Sequence, residues 1–466
     1  MFAVLGLKGH TMIPFLDRIE ERQRIDSLLD RDEGAFACLY GRRRCGKTRL
    51  LRESLKNRNH VLYHVADRSE RSAQIARFLH EAGALLPAFR SLPGLDWGSA
   101  LDLWMALAPK GSVLVFDEFP YLVEQDGSLP SILQRIVDRL PESGKKIVIC
   151  GSSQRMMQGF VLKASEPLYG RAGEILPIGP LAFGWMKKAF PKMSAFERLK
   201  AWGVWGGVPR YWELQDGSDN LWSAVWRNVC SPLGVLRNEP QFLLLDDVGD
   251  VAQASTVLSF IGAGAHRASE IAGRMARPMT DMSRPFQRLT ELGIIAKDIP
   301  FGAEAGSKKS FYRVSDPFLD FWYTFVQPNW SRQDFLSSEA ERQEFDGAYR
   351  VYLGEVWERL VLAEIQRKAL PESDMRFRRA ARWWGTGLDR RPMEVDLVAE
   401  SSDGTTLLVG EAKLSLLESE AGRILAELDE KARNLPFASN YAKIITRLFV
   451  AQNPPPGAVS LDWCEE

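Results

Sequence analysis

The sequence predicts an α/β protein of three units in series: a parallel sheet covered by helices, a helical unit ending in a strand pair, and a mixed α/β unit. Three observations carry this. Short apolar strands alternate with helical stretches as far as about residue 215, which is the rhythm of a parallel sheet with helices on both faces. Helical segments then dominate from about 245 to 330, closing in IIAKDIPFGAEAGSKKSFYRV, two strands around a Gly-containing turn. From about 345 a long helical pattern, EVWERLVLAEIQRKAL, precedes the β-rich segments EVDLVAE and TTLLVGEAKL, joined by the polar turn 401–404. With 466 residues, 45% apolar and 26% charged, the chain can bury several cores and is neither disordered nor collagen-like.

Sixty Lys+Arg balance sixty Asp+Glu, so any attraction to nucleic acid must come from local patches. The five cysteines (Cys38, Cys45, Cys150, Cys230, Cys464) are scattered and never spaced CxxC, which argues against a disulfide framework or a zinc ribbon. No apolar run approaches a membrane span, and the opening residues lack the basic and apolar regions of a leader. The expectation is a cytoplasmic protein without a membrane partner. Its parts are an extension over residues 1–11, a first unit with a helical lid over 12–244, a second over 245–335 and a third over 336–466.

Strand candidates in the first unit are 36–40, 61–65, 113–116 and 147–150. Between the first of them and the helix TRLLRESLK stands GRRRCGKT, residues 41–48, which fits G-x-x-x-x-G-K-S/T. A loop opened by Gly41 and Gly46 lets successive N–H groups and a helix N-terminus close around an anion. Lys47 then reaches the β- and γ-phosphates of ATP, and the Thr48 hydroxyl binds Mg²⁺. The strand SVLVFDEF ends in Asp117, suited to hold the Mg²⁺ through its water shell, and Glu118, suited to polarise the attacking water. A further strand, KKIVICGSS, ends in Ser152 and Ser153, short polar groups able to sense the γ-phosphate or that water.

With these pieces, and with PFLDRIEERQRIDSLL, EPLYGRAGEILPIGPLAF, GGVPRYWEL and YRVSDPFLDFWYTFVQP, the chain resembles the AAA+ group of P-loop ATPases from Met12 onward. More narrowly it resembles the archaeal-type ATPase family of archaea and bacteria, whose C-terminal part was long called a domain of unknown function. The resemblance implies roles for three more residues. Arg171, in EPLYGR, is either a finger directed at a neighbouring subunit's γ-phosphate or half of a structural ion pair. Pro209, in GGVPR, belongs to an element beneath the nucleotide base or to a plain inter-helix turn. Arg18 matches the family's box near the base.

In the second unit, helices over 251–261, 268–275 and 283–292 followed by the strand pair read as a winged helix-turn-helix, with Ser283 capping the third helix, Pro285 in its first turn and Gly293 ending it. Arg284, Gln287 and Arg288 on that helix, with Lys308, Lys309 and Arg313 on the wing, suit DNA, although such modules also bind proteins. In the third unit, Asp396 and the Glu411-Ala412-Lys413 run fall on strands that look adjacent. Both acids can hold one Mg²⁺ or Mn²⁺ while Lys413 orients or deprotonates water. This segment resembles the PD-(D/E)xK nuclease superfamily, a restriction-endonuclease-like α/β fold, and Glu358 matches its additional metal-side acid. Beside it RFRRAARWWGTGLDRR sets Arg376, Arg378, Arg379, Arg382, Arg390 and Arg391 around Trp383 and Trp384. That run is either a phosphate grip with base-stacking indoles or an amphipathic strand with its aromatics in the core.

The leading expectation is an ATP-hydrolysing AAA+-like protein, a homo-oligomer such as a hexamer, that binds DNA and cleaves it with the metal-dependent third unit. The rival is a signalling-type ATP switch whose C-terminal units only bind a partner protein.

Overall fold

The computed structural model describes residues 13–465 except 92–93, 216–219, 249, 305, 308, 333 and 372. The expected N-terminal extension and Lys308 lie outside the described residues. The chain packs as two compact units, Phe15–Leu181 with Val208–Arg210, and Ala182–Gly207 with Tyr211–Glu466.

In the first unit β1 (Ala35–Tyr40), β2 (Val61–Val65), β3 (Val113–Asp117), β4 (Lys146–Gly151) and β5 (Glu174–Pro177) form one parallel sheet in the order β2-β3-β4-β1-β5. The interior strands β1, β3 and β4 are buried almost throughout, which is why they read as unbroken apolar runs. Phe78, Trp97, Trp104, Phe116 and Phe119 fill the layer against one face. The sequence reading missed β5, whose four residues, EILP, end in a proline that only an edge strand tolerates. Because β1, β4 and β3 are parallel neighbours, the loop after β1, Asp117 and Ser152 all emerge at one edge of the sheet.

The second unit contains the helices from residue 186 onward that the sequence assigns to a lid on the first. An aromatic seam explains the grouping: Trp222 meets Phe345 and Tyr349 edge-on, with ring centroids 5.1 and 4.6 Å apart. The Tyr349 and Tyr352 hydroxyls donate to the carbonyls of Lys200 and Gly203 at 2.6 and 3.1 Å, and a buried Arg198–Glu465 pair adds a charged tie at 2.6 Å.

Three helices, Val251–Gly262, Ala268–Arg274 and Met279–Glu291, precede an antiparallel pair, β6 (Ile295–Asp298) and β7 (Phe311–Val314). The third helix begins four residues before the expected cap. Pro278, extended at ψ 146°, starts it, so Ser283 and Pro285 are interior rather than cap and first turn. Pro285 forfeits one helical hydrogen bond; burial of Met282, Phe286 and Leu289 on one face offsets that loss. Gly293, at φ +67°, ends the helix as expected.

The last sheet holds β8 (Phe377–Thr386), β9 (Pro392–Ser401), β10 (Thr406–Ser415), β11 (Lys443–Gln452) and β12 (Val459–Ser460), ordered β12-β11-β10-β9-β8. β8, β9 and β10 are antiparallel neighbours, whereas β11 returns parallel to β10 through the helix Glu418–Asn434. The long helix Glu339–Ile365, N-capped by Ser338, packs on this sheet and donates from Trp357 Nε1 to the Phe449 carbonyl at 3.1 Å. Among the described residues no helix is long and apolar enough to cross a membrane.

Candidate nucleotide site and carboxylate–lysine cluster

The loop of residues 41–48 turns through positive φ at Gly41 (+150°), Arg44 (+68°) and Gly46 (+93°), and the helix Lys47–Leu55 starts directly on it. A Cβ on Gly41 would stand 2.1 Å from the Ile178 carbonyl oxygen, so only glycine fits there. The buried Lys47 ammonium donates to the loop carbonyls of Gly41 and Arg42 at 2.6 and 3.0 Å. Arg18, itself buried and at φ +64°, donates to the carbonyls of Cys45 (3.2 Å) and Gly179, tying the loop to the segment after β5.

The Thr48 hydroxyl donates to Asp117 Oδ2 at 2.9 Å, and so does the Tyr63 hydroxyl at 2.8 Å. Asp117 Oδ1 accepts the Glu118 N–H at 3.1 Å. A hydroxyl and a carboxylate in contact are hard oxygen donors, the chemistry that suits Mg²⁺. Glu118 takes a left-handed φ of +56° at the head of the helix Phe119–Gln125. Its Oε2 accepts both the N–H and the Oγ–H of Ser152, at 3.0 and 2.9 Å. Ser153 caps the next helix, accepting from the Met156 N–H. The loop and the ends of β3 and β4 thus bring Lys47, Thr48, Asp117, Glu118 and Ser152 to one edge.

Three participants have no signal in the sequence. Tyr63 lies in VLYHV, which reads only as a strand. Arg43 bonds Ser152 Oγ at 3.4 Å and also the Tyr121 hydroxyl. The buried Cys150 thiol is pushed well up, first by burial and then by the charge of Asp117. Arg171 is held within its own unit: Nε and Nη2 grip the Asp138 carboxylate at 2.7 and 3.3 Å, and Nη1 donates to the Pro167 carbonyl at 3.0 Å. An ion pair of the kind in the second reading is thus present within the chain. Pro209 opens the helix Pro209–Leu214.

In the second unit Asp396 Oδ2 on β9 accepts the Ala412 N–H of β10 at 3.0 Å. Glu411 accepts from Lys413 at 2.7 Å and from Lys431, on the helix Glu418–Asn434, at 3.1 Å. Lys431 was not foreseen, because a position twenty residues away on a polar helix carries no pattern. Burial opposes ionisation of Glu411, yet Lys413 and Lys431 together hold its carboxyl low. Burial and then the Glu411 charge push Asp396 up; burial and then the Asp396 charge push Glu358 up to about 7. Among the described residues no group of three or more His, Cys, Asp or Glu closes on one point as metal ligands. Glu358, Asp396 and Glu411 are therefore coupled by charge without forming a finished coordination shell.

For the Arg/Trp run the structure agrees with the second of its two readings, an amphipathic strand with an aromatic in the core. Trp383 is buried in the core of the sheet and cannot stack on a base. Trp384 donates to the Lys309 carbonyl at 3.1 Å and lies against Phe311, 5.0 Å between centroids, because the loop between β6 and β7 docks on the edge strand β8. The Phe301 N–H completes that edge at the Arg382 carbonyl, 2.9 Å away. Arg382 itself pairs with Glu394 and stands 3.8 Å from Glu358. Arg376, Arg378, Arg379, Arg390 and Arg391 remain exposed. On the helix Met279–Glu291, Arg284 and Gln287 are exposed, while Arg288 is drawn back to the Asp247 carbonyl at 3.0 Å. Lys309 is exposed on the docked loop.

A parallel sheet with a glycine loop after the interior strand β1 and an acidic pair at the end of β3, the next strand but one, defines a nucleotide-binding α/β domain. Residues 15–214 match the family model of an ATPase domain predominantly from Archaea, and residues 322–425 match a model of archaeal and bacterial proteins of unknown function. The chain is therefore similar to that ATPase domain in its first part and to that region of unknown function further on. An uncharacterised protein of Methanocaldococcus jannaschii is 28% identical over 424 residues, 90% of this chain and 92% of its own. Among solved structures, a Walker-type ATPase of Pyrococcus abyssi covers 66% of this chain and 96% of its own at 20% identity and TM-score 0.49. The ORC2 protein of Aeropyrum pernix, in ADPNP–ADP complexes, covers 70% and 97% at 14% identity and TM-score 0.45.

Proposed function

We propose that this chain is an AAA+-like ATP hydrolase whose nucleotide cycle serves the binding of DNA by a winged-helix segment, residues 251–314, and its cleavage by a PD-(D/E)xK-like sheet. The observation that carries the ATP reading is the contact of Thr48 Oγ1 with Asp117 Oδ2 at 2.9 Å, directly behind the glycine loop. ATP would lie on the loop of residues 41–48, with Lys47 exchanging loop carbonyls for phosphate oxygens and Thr48 and Asp117 holding Mg²⁺. Bound there, Mg²⁺ would neutralise charge on the transferring phosphoryl group. Glu118, one oxygen pinned by Ser152, keeps the other for the attacking water, whose proton it takes as general base.

The DNA reading is supported by the exposed Arg284, Arg376, Arg378, Arg379, Arg390 and Arg391 on an otherwise neutral chain. Asp396 and Glu411 on neighbouring strands, with Lys413 on Glu411, are donors of the right kind for a Mg²⁺- or Mn²⁺-dependent nuclease. ATP hydrolysis by the full chain with and without single- and double-stranded DNA tests the whole. Hydrolysis indifferent to DNA, with no divalent-dependent cleavage, would replace this reading by the signalling switch.

A further inference from the structure

Tyr63 stands in the middle of β2, in register with Val115 of β3. Its hydroxyl donates to Oδ2 of Asp117 at 2.8 Å, the same oxygen that accepts from Thr48. With the Glu118 N–H on Oδ1, the carboxylate is fixed from three directions: the helix that follows the glycine loop, its own chain, and a strand that belongs to neither motif. A phenol is protonated at neutral pH and is therefore a donor to this carboxylate. A hydrogen bond to an ionised carboxylate is stronger than one between neutral groups, and a phenol on a strand has few rotamers in which to lose it. Thr48 has a competing task once a cation is bound; Tyr63 has none.

We propose that Tyr63 is a positioning residue of the nucleotide site, its hydroxyl fixing the Asp117 carboxylate in the orientation in which it shares Mg²⁺ with Thr48. The inference rests on the reading of Thr48 and Asp117 as the Mg²⁺ holders. A phenol that merely needed a partner for burial would contribute to folding and have no bearing on the cation.

Equilibrium binding of a fluorescent ATP analogue to the full chain, in EDTA and in saturating Mg²⁺, separates the two. For Tyr63→Phe the Kd in EDTA should equal that of wild type, while the tightening produced by Mg²⁺ shrinks roughly 10-fold. The Mg²⁺ concentration for half-maximal ATP hydrolysis should rise by a similar factor. An undiminished Mg²⁺ gain overturns the role of Tyr63, and so does a loss of affinity that is equal with and without Mg²⁺. Wild type that binds no nucleotide in either condition would overturn instead the site reading beneath it. If Tyr63→Phe lacks a cooperative thermal transition, Tyr63→Met fills the space without a hydroxyl and is decided by the same two constants.

Discussion

At the end of β3 the Asp117 carboxylate meets three neutral donors, the Thr48 and Tyr63 hydroxyls and the Glu118 N–H; on β10 the Glu411 carboxylate meets two ammonium groups, Lys413 and Lys431. Neutral donors orient a carboxylate and leave its charge in place, which favours a cation arriving with a polyanionic nucleotide. Ammonium groups cancel the charge at rest, so a divalent ion must displace or outbid them. The burden then passes to the half-buried neighbours: partial burial and then the Glu411 charge push Asp396 upward, and partial burial and then the Asp396 charge push Glu358 upward. One carboxylate is oriented with its charge left in place. The other is balanced without a cation.

The largest effects are expected at the first site. Lys47→Ala should abolish binding of ATP, whereas Glu118→Gln should bind it with near-normal affinity and hydrolyse it slower by about 10²- to 10⁴-fold, the usual contribution of a general base. Equal affinity and turnover in Lys47→Ala and wild type would remove the nucleotide from this loop. At the second site, DNA cleavage in Mn²⁺ should fall to background in both Asp396→Ala and Lys413→Ala, measured on several DNA forms. Cleavage that survives in both would show that the activity does not come from this sheet.

The carboxyl groups of the second site respond to pH. A carboxyl whose folded value, about 7 for Glu358, lies above its unfolded value binds its proton more tightly in the native state. Its stabilising contribution is complete below the ordinary glutamate range and is lost as pH rises through about 7. Metal-free Glu358→Gln, which has no charge to bury, should therefore be more stable than wild type at pH 8 by on the order of 2 kcal/mol and show no advantage at pH 4. A stability difference that is the same at both pH values would contradict the raised Glu358 carboxyl. The smallest effect belongs to Arg171. With both partners partly exposed, Arg171→Ala and Asp138→Ala should each cost about 0.5–1 kcal/mol, and the double variant no more than either. A hydrolysis rate lowered about 10³-fold in Arg171→Ala alone would instead assign it to a neighbouring subunit's phosphate.

Much of the first site was legible because its geometry is local. Gly41, Gly46, Lys47 and Thr48 lie within eight residues, and Asp117 and Glu118 mark the end of an apolar strand. Asp396, Glu411 and Lys413 were legible for a similar reason, sitting on two strands joined by a short turn. What stayed hidden are the groups that reach these acids from elsewhere in the chain: Tyr63 on Asp117, fifty-four residues apart, and Lys431 on Glu411, twenty apart. The cap misplaced at Ser283 has a different origin. A proline inside a helical pattern reads as a start, and only the burial of Met282, Phe286 and Leu289 shows that the helix runs through it.

Strand order, the separation of the chain into units and the fate of the Arg/Trp run were decided by packing. Periodicity of two assigns Trp383 and Trp384 to opposite faces of a strand without saying what covers either face. The sheet core took Trp383, and the loop between β6 and β7 took Trp384, because an edge strand with apolar rings is best satisfied by another backbone laid along it. The aromatic seam of Trp222, Phe345 and Tyr349 likewise joins Trp222 to the long helix Glu339–Ile365. The sequence by itself determined the glycine loop, the acids and the lysine beside them, since those depend on residue type at short spacing. Which donors satisfy each acid, and hence whether its charge is left for a cation or cancelled at rest, depends on contacts between distant segments, and these exist only once the tertiary structure has formed.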